Sequence, residues 1–338
     1  VSFWSHNPYL AQQLEIVNQR LSTAIRSREK LIGEAARSLV DAPAKRMRPA
    51  LTIISGSYGQ PKPHLTDVAA AIELLHMATL VHDDIIDEVA LRRGTPTAQA
   101  KYGKDIAVYP GDFLFVKSLQ LIAEAQAGSH LSELTRILQF ICESEVNQYS
   151  DRYNVSPSLL KYLRRIRGKT AMMFALSAAA GAKYAECNDT VVKSLAKYGL
   201  YFGMAFQIQD DILDLVSTEE NLGKPAGSDL KEGIYTLPVI FALQDKNTGT
   251  KIRGLLDRSP DHQAIWEIVQ LITACGAMEK SREVMRWYLA KAEEAMARLP
   301  ENANAVTLQL LLKAPFESKS PFHDLAMSQE PLQLTTVH

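Results

Sequence analysis

Twice in this chain an apolar stretch with helical spacing ends in three carboxylates. LVHDDIID places them at Asp83, Asp84 and Asp87, and IQDDILD at Asp210, Asp211 and Asp214. Residues four apart on an α-helix are rotated by about 40°, so Asp83 shares a face with Asp87, and Asp210 with Asp214. Like charges at that spacing repel by a few tenths of a kcal/mol even in water, and acids at a helix C-terminus oppose its dipole. The penalty grows as the groups leave water. A fold that keeps both trios beside Leu, Val and Ile must supply a compensating cation. Oxygen-only ligands suit magnesium, which is held by one or two carboxylates together with substrate phosphates.

The rest of the pattern predicts an all-α fold. Apolar residues recur every three or four positions from about residue 8 to residue 312, and alternating β-branched runs are absent. Helix breaks fall at YGQPKP (residues 58–63), at RGTP (93–96) and at Ser156-Pro157, read as an N-cap and first helical position. STEENLGKPAGSDLKEG (217–233) is too rich in Gly and Pro for a continuous helix, and an irregular loop of that length points to function. With no linker dividing the chain, residues 1–315 are expected to form one domain and 316–338 a loosely held tail.

Of the 338 residues, 46% are hydrophobic and 22% charged, as in ordinary globular proteins. A net charge of −1 gives no global attraction for nucleic acid. Cys142, Cys187 and Cys275 lie far apart, which fits a reducing, cytoplasmic setting and neither a disulfide framework nor a zinc site. Residues 171–182, read as the longest apolar stretch, are too few to span a bilayer, so no transmembrane segment is expected.

The basic residues suggest what the metals bridge. Lys45 and Arg48 in AKRMRP open a helix, where cations are misplaced unless an anion is present. Arg92 and Arg93 follow the first trio, Lys169 and Thr170 lie mid-helix in RGKT, and Lys224 lies in the loop after the second trio. Six carboxylates (about −6), a diphosphate (about −3) and three Mg²⁺ (+6) come near neutrality with about three of these cations.

These motifs resemble the trans-type polyprenyl diphosphate synthases over about residues 10 to 315. LVHDDIIDEVALRRGTPTA is similar to the family's first aspartate-rich region, RGKTAMMF to its Lys-Thr helix, MAFQIQDDILDL to its Phe-Gln and second aspartate-rich region, and GKPAGSDLKEGIYTLP to the following loop. The resemblance implies an isoprenoid-synthase-type helical bundle around a central cavity, with three Mg²⁺ on the diphosphate of an allylic substrate. It assigns Asp83, Asp87 and Asp210 to the metals, and Asp84, Asp211, Asp214 and Lys169 to the catalytic set with them. It assigns Arg92, Lys169 and Lys224 to the allylic diphosphate, Thr170 to substrate binding beside them, and Lys45, Arg48, His76 and Arg93 to isopentenyl diphosphate. Phe206 and Gln207 fall near the reacting carbons, while His82 is read as structural.

The resemblance also places product-length control one or two turns before Asp83, at Leu75, Ala78 and Thr79. The family stops growth there with a bulky aromatic. Small or movable residues therefore imply a long product, hexaprenyl to octaprenyl with heptaprenyl favoured, for quinone side chains such as that of menaquinone. A shorter farnesyl or geranylgeranyl product stays as the alternative. Two positions depart from the family: Pro43-Ala44 replaces Gly-Gly before Lys45, and Ile234 replaces a Lys after Glu-Gly. With YLRRIRGKTA and STEENLGKP, the second departure most resembles the catalytic component of two-component heptaprenyl diphosphate synthases. It implies a dimer, heteromeric with a smaller component, and a chain feeble on its own. A terpene cyclase and a non-catalytic prenyl-diphosphate-binding subunit are rival readings. The second D-D-x-x-D and the Lys45/Arg48 pair count against the first, and the completeness of both trios against the second.

Overall fold

The computed structural model describes residues 4–92, 95–125, 131–216, 227–256, 261–313 and 315–316. Helices α1 (Pro8–Ala24), α2 (Lys30–Asp41), α3 (Met47–Gly56) and α4 (Leu65–Ile86) lead into a minimal antiparallel hairpin, β1 (Leu91–Arg92) with β2 (Thr95–Pro96). Then come α5 (Ala98–Tyr102), α6 (Lys104–Glu124), α7 (Leu131–Ser150) and α8 (Leu159–Ile166). A π-helical turn (Arg167–Ala171) runs from α8 straight into α9 (Met172–Tyr184), and α10 (Asp189–Val216) follows. The chain closes with α11 (Ser228–Lys231), α12 (Leu237–Gln244), α13 (Lys246–Leu256), α14 (His262–Ala274), α15 (Ala277–Met296) and α16 (Ala305–Lys313).

Helix α4 is apolar on nearly every side, and it lies in the middle of the bundle. Its residues take part in two cores. Leu74, Met77, Ala78 and Val81 pack with Leu51, Ile54, Leu114, Phe174 and Phe202. Val68, Ile72 and Leu75 pack with Ile141, Met173 and Leu176 from α7 and α9. Each fully buried Leu or Ile contributes roughly 1.5–3 kcal/mol, so α4 is set by tertiary burial. A third core joins the lower part of α10 to α12–α15 through Ile208, Ile212, Val239, Ile240 and Ile268.

Alanines and glycines let α9 lie against its neighbours almost backbone to backbone. A Cβ added at Gly181 would stand 1.9 Å from the carbonyl oxygen of Thr52 in α3.

Three local expectations are corrected. Helix α8 begins at Leu159 with Ser158 as its N-cap, so Ser156-Pro157 lies in the preceding turn. By length and composition α4 and α6, more than residues 171–182, are apolar enough to cross a membrane, with 78% of the α4 window and 39% of the α6 window buried. Phe316, placed in the tail by sequence, packs edge-on against Phe202 at 6.2 Å. The remainder of that tail, residues 317–338, lies outside the described residues.

Gly181→Ala forces α3 and α9 apart. It is expected to lower unfolding free energy by about 1–3 kcal/mol, read as a reduced denaturant midpoint.

Candidate active site

The last turn of α4 sends its three carboxylates to different partners. The chain reverses after Asp87 through Glu88, which takes a left-handed backbone (φ 54°). The hairpin then brings Arg92 back to grip Asp84, with Nη2 at 2.6 Å and Nε at 2.8 Å from Oδ1. Asp84 is only 4% exposed; burial pushes its carboxyl up, and Arg92 holds it back. Asp83 is raised as well, first by burial and then by Asp87, with Lys169 opposing. Asp87 receives Nη2 of Arg152 at 2.6 Å.

The second trio divides in the same way. Asp210 is exposed at the end of α10. Asp211 is buried, and it accepts from the Tyr162 hydroxyl at 2.7 Å and from Gln207 Nε2 at 2.9 Å. Burial raises its pKa to about 6 against the pull of both donors. Asp214 is buried too. It accepts from the Ser228 hydroxyl at 2.8 Å and from the Asp229 backbone N–H at 3.3 Å, fastening α11 to α10. Asp84, Asp211 and Asp214, all buried, thus anchor their surroundings, whereas Asp83, Asp87 and Asp210 are the more exposed members of the two trios.

The π turn joins the two trios. It is pressed against α7 at Gly168, where a Cβ would lie 1.9 Å from Ser144 Oγ. Lys169 Nζ sits 3.8 Å from Glu145 Oε2. Burial lowers the Lys169 pKa, but the field of Asp83, Glu145, Asp87 and Asp229 outweighs it and raises the ammonium above its ordinary value. Next to it, Thr170 donates to Gln207 Oε1 at 2.5 Å, and Gln207 in turn donates to Asp211 and Asp210. Consecutive residues of one turn therefore lie in the field of the first trio and bond toward the second.

The basic residues fall into two groups. Arg46 enters α3 in a left-handed conformation (φ 49°), so the bend lies after Pro43-Ala44. Arg48 sits over the Phe174 ring at 4.5 Å, and Phe174 contacts Phe206 at 5.7 Å. Lys45 just precedes α3, and its carbonyl accepts from Trp4 Nε1 at 2.7 Å. His76 instead lines a solvent-open cleft of about 700 Å³ with Asp84, Arg92, Arg46 and Glu73. Lys45 and Arg48 are not among its walls. Thr79 donates to the His76 carbonyl at 2.8 Å, and Leu75 and Ala78 are each 2% exposed. His82 Nε2 lies 3.3 Å from Asp112 Oδ1, away from these groups. Arg93 and Lys224 lie outside the described residues.

Sequence reasoning missed Glu145, Arg152 and Tyr162. Tyr162 meets Asp211 across 49 positions, and the π turn breaks the helical spacing that could have linked it to Lys169. Arg152 meets Asp87 across 65 positions, and no local signal reports that.

Among the described residues no three carboxylates or imidazoles converge into a closed metal cage. Asp83 and Asp87 present oxygen donors only, share a face, and are partly withdrawn from water. Such a set fits a hard cation that takes one or two carboxylates and completes its shell with phosphate oxygens.

The raised pKa of Asp211 has a definite sign for stability. Between about pH 4 and its value of about 6, the folded protein binds this proton more than the unfolded chain does. Its contribution to stability therefore falls as pH rises through that window. Tyr162→Phe removes a donor to the ionised form, so it is expected to cost about 1.5–3 kcal/mol at pH 8 and less at pH 5. Urea unfolding at the two pH values measures the difference.

Comparison with known proteins agrees with this geometry. The polyprenyl synthetase family profile matches residues 29–272. The chain is 41% identical over 295 residues to heptaprenyl diphosphate synthase component 2 of Geobacillus stearothermophilus, covering 87% of this chain and 92% of that protein. It is 36% identical over 306 residues to the Bacillus subtilis protein of the same name, covering 90% and 88%. The crystal structure of heptaprenyl diphosphate synthase from Staphylococcus aureus superposes with a TM-score of 0.86 at 33% identity, covering 90% of this chain and 97% of that one. Two aspartate-ended helices joined through a Lys-Thr π turn, within a fold matched over this length, place the chain in the polyprenyl synthetase family, and it is a prenyltransferase.

Proposed function

We propose that this chain condenses an allylic prenyl diphosphate with isopentenyl diphosphate to give a long-chain trans-polyprenyl diphosphate, heptaprenyl by preference, for a quinone side chain. The observation that carries the reading is the π turn, whose Lys169 faces Asp83 and Asp87 while its Thr170 leads through Gln207 to Asp210 and Asp211. A diphosphate between the trios would lie against a half-buried ammonium, with carboxylates on two helices left to hold Mg²⁺.

Asp83, Asp87 and Asp210 would hold magnesium, three ions by family likeness. Bound magnesium supplies Lewis-acid stabilisation of charge on the departing diphosphate. Lys169 adds a fixed positive charge in a poorly solvated position, where it acts most strongly on a developing anion. Arg92 is oriented by its three bonds to Asp84 and lines the cleft. Phe206, half-buried against the core residue Phe174, would offer its ring beside the allylic carbon, which favours a cation and excludes water. Arg48, poised over Phe174, and Lys45 would hold the second diphosphate, with His76 on the hairpin side and Arg93 assigned by family likeness alone. None of these side chains is placed to act as a nucleophile, and the reaction needs none: the isopentenyl double bond attacks, and a proton then leaves.

The prenyl tail descends along the α4 face carrying Thr79, Leu75, Ile72 and Val68. Val68 lies fifteen residues before Asp83, about 22 Å along the axis, which leaves depth for several isoprene units. Around it stand Met173, Leu176 and Ile141. Ala78 belongs to the other core, so its influence on length is exerted through packing.

Relatives named as a second component imply a first one. Exposed apolar side chains on α6 and α7, among them Tyr109, Val116, Val146 and Tyr149, support a partner surface there. A cytoplasmic location accords with its charged, water-soluble substrates.

Purified chain, farnesyl diphosphate, labelled isopentenyl diphosphate and Mg²⁺, with and without a candidate small component, test the proposal. Strong heptaprenyl synthesis is expected only with the partner; robust long-chain synthesis by the single chain refutes the two-component part. Asp83→Ala and Asp210→Ala should each lower turnover by about 10²–10³-fold or more, and label incorporation unaffected by either ends the enzymatic reading of these trios. Thr79→Phe should shorten the product by at least one unit, read by chromatography of the dephosphorylated chains.

A further inference from the structure

Helix α7 ends at Ser150, and the chain then turns sharply. Tyr153 adopts a left-handed backbone (φ 60°), and its N–H donates to the Gly233 carbonyl at 2.8 Å. This bond ties the turn after α7 to the segment after α11, where Ile234 is only 9% exposed. From the turn, Arg152 reaches inward. Its Nη2 lies 2.6 Å from Asp87 Oδ1 and 3.8 Å from Glu232 Oε2. The guanidinium rests 5.5 Å from the centre of the Tyr149 ring. Its Nε is buried and has no hydrogen-bond partner among the described residues.

These observations describe a cation with unused capacity. Nε and Nη2 form one edge of the guanidinium fork, the edge that meets carboxylate or phosphate with two parallel bonds. Here Nη2 is engaged and Nε is not. The engaged partner, Asp87, is also one of the carboxylates positioned for a cation, and its oxygens cannot serve both fully. When Asp87 turns to a metal, Arg152 is left mostly out of water with a carboxylate at 3.8 Å. That long ion pair compensates the guanidinium only in part, and a poorly paired charge in that position is costly. A phosphate oxygen arriving with the metal restores the balance and gives Nε an acceptor.

We propose that Arg152 is a diphosphate-binding residue of this site, which rests on Asp87 in the free protein and exchanges that carboxylate for a phosphate oxygen when the metal–diphosphate complex binds. The inference rests on the prenyltransferase reading and adds to it a residue and a change of partner. It also gives the segment around Ile234 a cation supplied from another element.

The test uses the full chain with two probes, Mn²⁺ alone, followed by the spin resonance of the free ion, and inorganic pyrophosphate with Mg²⁺, followed by calorimetry. Arg152→Gln should move the two affinities in opposite directions. Mn²⁺ alone binds several-fold tighter because Asp87 is released, and pyrophosphate binds about tenfold or more weakly because a charge-assisted contact is lost. A brace with no ligand contact would leave both affinities unchanged, or weaken both together with a lowered unfolding midpoint; either result overturns the proposal. Arg152→Lys keeps the charge and loses the fork. It should hold Mn²⁺ as the unaltered chain does and bind pyrophosphate at least threefold more weakly. If the glutamine variant does not fold, this one decides, and unchanged pyrophosphate affinity refutes the assignment. Failure of the unaltered chain to bind pyrophosphate with Mg²⁺ would remove the functional reading itself, a result distinct from any effect confined to Arg152.

Discussion

The structure depends on carboxylate charge held where water is scarce. Asp83 and Asp87 share a face at the end of a central helix, and the half-buried ammonium of Lys169 sits in their combined field. That position is available because the backbone widens to a π turn between α8 and α9. A regular α-helix would rotate Lys169 and Thr170 differently with respect to α7 and α10. The absent side chain at Gly168 lets the turn approach Ser144. The local irregularity is what allows consecutive residues to address two separate acidic helix ends.

Each trio combines opposite tasks. In each, at least one carboxylate is bonded to protein donors, Asp84 by Arg92 and Asp211 by Tyr162 and Gln207, and becomes part of the frame. Asp214 goes further and secures the short helix α11. The D-D-x-x-D spacing therefore builds support as well as carboxylates open to the site: neighbouring positions on a helix point roughly 100° apart, so the same turn presents acids to different surroundings.

Much of this was legible in the sequence. The helical period, the ends of α4 and α10 beside their acids, the helix opened by Met47 and the shared face of Asp83 and Asp87 all follow from spacing. The partners of those acids did not. Arg92 returns after a hairpin of which spacing gives no sign, Tyr162 meets Asp211 across 49 positions, and Arg152 meets Asp87 across 65. Spacing tells which side chains share a face, and only the assembled bundle tells what faces them. The start of α8 was misread for a related reason, since Ser156 and Ser158 are both chemically fit to cap and the surrounding turn selects the second.

The near-contact of backbones at Gly181 and Thr52 has a mechanical consequence. Arg48 stands on α3 and Phe174 on α9, so the slab formed by those two helices carries the cation and the aromatic ring as a rigid unit. A slab without slack cannot hinge. Breathing that admits two charged substrates and releases a greasy product therefore falls to elements not interlocked with that slab, such as the short hairpin held by Arg92 on Asp84.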